Sequence, residues 1–134
     1  MIRIRDIDHV VLRVADAERA LRFYRDALGC TVEVARDDIG LIQLRAGRSL
    51  IDLVPLSGKL GAAGGAAPGV EGRNVDHFCV RVDPFDEVAI RAHLARFAIP
   101  AGPTADRNGA EGVGPSIYIT DPDGNTVELK GPPA

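Results

Sequence analysis

Tryptophan is absent and aromatic residues make up only 4% of this chain, so a base-stacking surface for single-stranded nucleic acid has little to be built from. An excess of one charge is also missing. The 16 Lys and Arg residues stand against 19 Asp and Glu, a formal net charge of -3, which excludes a polybasic surface for nucleic acid or membrane. No apolar run approaches the roughly 20 residues of a membrane span, and the opening Met1-Ile2-Arg3-Ile4-Arg5-Asp6 reads as a strand start rather than a signal peptide. Two cysteines, Cys30 and Cys79, give neither a disulfide framework nor a zinc spacing; free thiols in a reducing cytoplasm are expected. What is present is 134 residues, 46% of them hydrophobic: one domain with enough chain for a core.

Period-two alternation organises most of that chain. Ile7–Val14 reads as a first strand, with Val10, Leu12 and Val14 on one face and His9, Val11 and Arg13 on the other. Asp16 is placed to cap a helix running to about Leu28, with Ala20, Leu21, Tyr24 and Leu28 on its apolar face and Gly29 as its stop. Strands are expected at 31–35, 41–45 and 50–54, the last two as a hairpin with Ile42, Leu44, Ile51 and Leu53 opposite Gln43, Arg45 and Asp52. Ser57 to Gly72, rich in Gly and Ala, reads as a mobile connection or lid rather than an element. The opening is then written again: Val75-Asp76-His77-Phe78-Cys79-Val80-Arg81-Val82 matches Ile7-Asp8-His9-Val10-Val11-Leu12-Arg13-Val14, with Asp, His, Arg and Val in register. Asp83-Pro84 starts a second helix to about Phe97, and a third strand is placed within Pro100 to Asp106. Ser116–Thr120, the turn Asp121-Pro122-Asp123-Gly124 and Thr126–Lys130 form a closing hairpin, with Tyr118 and Glu128 on its polar faces. The fold class is therefore α+β, two βαβββ modules with helices behind a cupped mixed sheet: module one about 5–56, linker 57–72, module two about 73–131.

The repeat puts His9 and His77 on opening strands and Asp52 and Glu128 on closing ones, all turned from the apolar face. One such histidine is usually structural and one such carboxylate is usually solvated. Four at repeat-equivalent positions suit a single divalent ion, whether Zn, Ni, Mn, Co or Fe. Tyr118, Arg13, Arg45 and Arg81 share that surface. Asp8 and Asp76 face the other way by parity and read as strand-start or turn residues. His93 reads as a solvated helix residue, and Cys79, on His77's face without a base, as packing rather than nucleophile.

Asp8-His9-Val10, Phe23-Tyr24-Arg25-Asp26-Ala27-Leu28-Gly29, Asp76-His77-Phe78 and Asp121-Pro122-Asp123-Gly124-Asn125-Thr126-Val127-Glu128-Leu129 resemble the vicinal oxygen chelate superfamily, which includes glyoxalase I, extradiol dioxygenases and the fosfomycin- and bleomycin-resistance proteins. The resemblance implies paired βαβββ modules cupped around a metal held by His9, His77 and Glu128, with Asp52 at the fourth place, where glyoxalase I carries the longer glutamate. It implies lactoylglutathione-lyase-type isomerisation, in which a metal ion stabilises an enediolate while Glu128 or Asp52 moves a proton between adjacent carbons. Tyr118 joins them as a catalytic candidate, and Arg13, Arg45 or Arg81 would hold a substrate carboxylate. The substrate would be a small molecule with vicinal oxygens, a glutathione adduct among them, and the protein a cytoplasmic homodimer. Two alternatives stand beside the lyase. Ile117-Tyr118, Asp121-Pro122-Asp123-Gly124 and Glu128 reproduce part of the extradiol dioxygenase signature, with Glu111 about where that family has an acid/base histidine. A non-catalytic small-molecule binder, as in bleomycin resistance, is the other.

Overall fold

The computed structural model describes residues 1–133, so that Ala134, inside the expected domain span, lies outside the described residues. The chain divides into two compact units, Met1–Gly72 and Arg73–Ala134.

Each unit repeats one plan. In the first, β1 (His9–Val14), helix α1 (Ala17–Leu21), β2 (Thr31–Arg36), β3 (Leu41–Ala46) and β4 (Ser49–Pro55) give a four-stranded sheet in the order β1-β4-β3-β2. The helical crossover lets β1 lie parallel to β4, while the hairpins keep β2, β3 and β4 antiparallel. In the second, β5 (His77–Arg81), α3 (Glu87–Arg96), β6 (Ala105–Arg107), β7 (Gly114–Thr120) and β8 (Thr126–Lys130) give the order β5-β8-β7-β6, with β5 parallel to β8. A further single-turn helix, α2 (Lys59–Ala62), follows β4. The fold is thus two mixed four-stranded sheets of βαβββ order, as expected from the sequence.

Alternation fills the cores. Leu12 and Val14 of β1, Leu44 of β3, and Ile51 and Leu53 of β4 are buried in the first unit; Ile117, Ile119, Val127 and Leu129 are buried in the second. Burying aliphatic side chains of this size contributes roughly 1.5–3 kcal/mol each. Asp16 caps α1 by accepting from the Arg19 amide at 3.0 Å. The helix then widens into a π turn over Arg22–Ala27, so that Phe23, Tyr24 and Ala27 are buried while Leu28, expected on that face, is half-buried. Gly29, at φ +80°, ends it. The closing turn is held by Asp121, whose Oδ1 accepts from the amides of Asp123 (2.9 Å) and Asn125 (2.8 Å).

Four expectations are corrected. The first strand begins at His9 rather than Ile7. The second helix begins at Glu87, because Asp86 rather than Asp83 caps it, accepting from the Ala89 amide at 3.0 Å. The third strand of the second half is only Ala105–Arg107. The residues before it are held instead by Arg91 of α3, whose Nη2 donates to Gly102 O at 2.8 Å and to Thr104 Oγ1 at 3.0 Å. The Gly-rich connection contains α2 and is tied to β1. Arg13 donates from Nε to Gly61 O (2.9 Å), from Nη1 to Ala66 O (2.9 Å) and Gly64 O (3.4 Å), and from Nη2 to Gly65 O (2.8 Å). A Cβ on Gly64 would lie 2.6 Å from the Arg13 guanidinium carbon, so glycine is what allows that approach.

Candidate metal centre

The second unit holds the denser cluster. Cross-strand register puts Cys79 (β5), Glu128 (β8) and Tyr118 (β7) in one row. His77, two residues before Cys79, shares its face. Glu128 is 5% exposed, and His77 Nε2 lies 3.5 Å from its Oε1. The His77 and Tyr118 rings meet edge to face with centroids 5.6 Å apart. β8 lies between β5 and β7, so Glu128 has a side chain on either side of it in the row. Partial burial first, and the Glu128 carboxylate second, push the Cys79 thiol up to about 11 and raise the Tyr118 hydroxyl. Both therefore stay protonated at neutral pH. That leaves Cys79 a poor nucleophile, though it is exposed rather than packed as expected, and Cys79 and Cys30 are both free thiols.

The first unit has the same row: Val11 (β1), Asp52 (β4) and Gln43 (β3). Asp52 is 3% exposed; its Oδ2 accepts from Gln43 Nε2 at 3.0 Å, while its Oδ1 is buried with no partner among the described residues. His9 lies on the Val11 face two residues earlier, and its pKa is raised first by the hydrogen bond to Asp8, against desolvation, with lesser raising effects from the charges of Asp52 and Asp8.

Both histidines are oriented by the residue before them. Asp8 Oδ1 lies 2.7 Å from His9 Nδ1, and Asp76 Oδ2 lies 2.6 Å from His77 Nδ1. Strand parity had turned these aspartates away. They precede the first strand residues, His9 and His77, so the pleat does not govern them. A carboxylate at Nδ1 leaves Nε2 as the outward nitrogen, the arrangement typical of metal-ligating histidines.

These donors fit a divalent metal ion in kind: imidazole Nε2, a buried carboxylate beside it, and a buried carboxylate oxygen with no partner. Each unit brings one histidine and one carboxylate, and among the described residues no group of three or more His, Cys, Asp or Glu gathers as a metal cage. The three arginines expected to meet substrate are engaged elsewhere. Arg13 holds its loop, Arg45 pairs with Glu33 at 3.0 Å, and Arg81 pairs with Glu111 at 2.6 Å. Arg107, which no sequence pattern singled out, stacks its guanidinium 4.2 Å over the Tyr118 ring. His93 is exposed on α3, its ring 5.2 Å from that of Phe97.

Paired βαβββ units with a histidine on the first strand and a carboxylate on the last define a recognisable class of protein. The sequence profile of the Glyoxalase/Bleomycin resistance protein/Dioxygenase superfamily matches residues 6–129, and the chain belongs to that superfamily. It is 29% identical over 128 residues to the virulence protein STM3117 of Salmonella typhimurium, covering 92% of this chain and 81% of that one. The crystal structure of that virulence protein superposes with a TM-score of 0.79 at 26% identity, covering 98% of this chain and 100% of the other. An integron cassette protein from the mobile metagenome of V. Pseudocholerae gives a TM-score of 0.78 at 26% identity over 100% and 99% of the two chains. Lactoylglutathione lyase from Agrobacterium tumefaciens shares the fold, with a TM-score of 0.65 at 23% identity over 94% and 92%. Among the described residues no helix is long and apolar enough to cross a membrane.

Proposed function

We propose that this protein is a divalent-metal-dependent lyase or isomerase of the glyoxalase I type, acting as a homodimer on a small molecule with vicinal oxygens, a glutathione hemithioacetal being the first substrate to test. The observation that carries the proposal is the buried Glu128 carboxylate with His77 Nε2 3.5 Å away and Asp76 behind the imidazole. The row neighbours Cys79 and Tyr118 give this buried carboxylate neutral donors only, and a cation would complete its surroundings. His77 and Glu128 would hold the ion in the second unit, and His9 and Asp52 are the equivalent donors of the first.

The bound ion would supply Lewis acidity toward the substrate oxygens. The chain's own groups would do the rest. The unpartnered Oδ1 of Asp52, or the Glu128 carboxylate, takes the proton from one carbon and returns it to its neighbour. The Tyr118 hydroxyl, held protonated by burial and by Glu128, donates to the oxygen on which charge develops. Ring cleavage is less well supported, since Glu111, near the place of the acid/base histidine, is tied to Arg81 at 2.6 Å. The binder remains a second reading, because each unit presents a pair of donors rather than a cage.

The test loads the protein with Ni, Zn, Co or Mn and follows thioester formation from a methylglyoxal–glutathione adduct. Turnover that falls at least about a hundredfold in Glu128→Gln supports the lyase. Stoichiometric metal without turnover, but with saturable binding of the product thioester, would move the binder to first place.

A further inference from the structure

The second unit buries a lysine that the reaction does not use. Lys130, two residues beyond Glu128 on the same face of β8, is 6% exposed. The one acceptor of its Nζ is Gly131 O at 3.5 Å, longer than an ordinary N–H···O bond, and among the described residues no carboxylate pairs with it. Its stem runs through a channel kept open by glycines. A Cβ on Gly109 would lie 2.5 Å from Lys130 Cε, and one on Gly114 would lie 3.0 Å from Nζ.

Gly114 is also the register partner of Arg107. The Arg107 Nη1 donates to Ser116 O and to Ser116 Oγ, each at 2.8 Å, and its guanidinium lies over Tyr118. Ser116, fully buried, faces Lys130 across the ladder. Gly114, Ser116 and Tyr118 alternate on one face of β7, so Arg107, Ser116 and Lys130 converge beside Glu128 on the carboxylate side of this sheet. Arg45, Arg81 and Arg91 each have a carboxylate partner, whereas Arg107 and Lys130 have only neutral acceptors among the described residues. Two cations brought together, one of them buried, with no carboxylate in ion-pair contact among the described residues, leave an unfilled need for negative charge.

We propose that Arg107, Lys130 and Ser116 form a subsite for an anionic oxygen group, a carboxylate or phosphate, carried by the substrate about 7 Å from the atoms that meet Glu128, two residues along the strand. This deepens the functional reading above, which supplies Glu128 as the reacting end, and it narrows the substrate to a small anion with oxygens at both ends.

The chain has two lysines, Lys59 and Lys130, so selective labelling resolves them. Chelator-treated protein carrying 13C-labelled lysine is titrated with inorganic phosphate and, separately, with malonate, and the ε-methylene resonances are followed by NMR. The expected result is a saturable shift of Lys130 alone, weakened about tenfold in Arg107→Gln. The stronger of the two probes identifies phosphate or carboxylate as the group. Shifts that stay linear for both probes, that match at the exposed Lys59, or that keep their affinity in Arg107→Gln would overturn the subsite. Because the titration is made without metal, its outcome is independent of the metal and the lyase chemistry.

Discussion

The two units carry the same skeleton of donors in different dress. Asp52 and Glu128 occupy the same rung of equivalent sheets, each two residues along from an Asp–His pair. In the first unit Val11 and Gln43 stand beside the carboxylate, and one carboxylate oxygen is left unpartnered among the described residues. In the second, Cys79 and Tyr118 flank the carboxylate, and the imidazole comes to 3.5 Å. The longer glutamate reaches its histidine where aspartate has no such contact among the described residues. The two surroundings therefore differ in kind: Glu128 has an imidazole beside it, while one oxygen of Asp52 has no partner among the described residues.

Arg13 and Arg81 are the same residue of the repeat, each four positions beyond its histidine, and each fastens a loop of its own unit by a different bond. Arg13 uses backbone carbonyls; Arg81 uses an exposed ion pair with Glu111. Arg13→Met should therefore cost about 2–3 kcal/mol, since several hydrogen bonds to a charged donor disappear at once and leave carbonyls unpaired. Thermal unfolding would show it, together with faster proteolysis within 57–72; an unchanged melting temperature would mean that the loop needs no fastening.

Next in size is the effect of the orienting aspartates. Asp76→Asn should weaken metal affinity about tenfold to a hundredfold by releasing the His77 ring. Asp8→Asn should do less if the anchoring pair is in the second unit. Equal losses would erase the contrast between the units. Smaller again is Glu111→Gln, expected to change stability by less than about 1 kcal/mol, an effect that vanishes at high salt.

The smallest effect is on pH dependence. The raised pKa of His9 means that its bond to Asp8 adds stability fully present below the ordinary histidine value of about 6.5 and lost as pH rises through the raised value. Asp76, lowered first by its hydrogen bond to His77, adds stability present above about 3.9 and lost as pH falls through its lowered value. Melting temperatures across about pH 6 to 8 should slope less in Asp8→Asn than in the native chain. An identical slope would place the titration elsewhere.

Much of this was legible in the sequence because it is periodic. Alternation located the strands, and the repeated Asp-His with Arg four residues after the histidine revealed the two halves before any fold was known. Turn chemistry located the closing hairpin around Asp121. What sequence could not show depends on contacts without a period. The bonds from Arg13 to Gly61, Gly64, Gly65 and Ala66 span about fifty residues and end on carbonyls, which every residue has. Arg107 is placed by a three-residue strand too short to alternate visibly. The burial of Glu128 and Lys130 depends on which strands flank β8, a fact of strand order rather than composition.

The most direct test of the account is elemental analysis of protein purified without chelator, beside the folded variants His77→Ala, Glu128→Ala and Asp52→Ala. The account predicts near-stoichiometric Ni, Zn, Co or Mn in the native chain, lost in His77→Ala and Glu128→Ala and weakened less in Asp52→Ala. Metal content unaltered by His77→Ala and Glu128→Ala, or no uptake even after reconstitution, would contradict it.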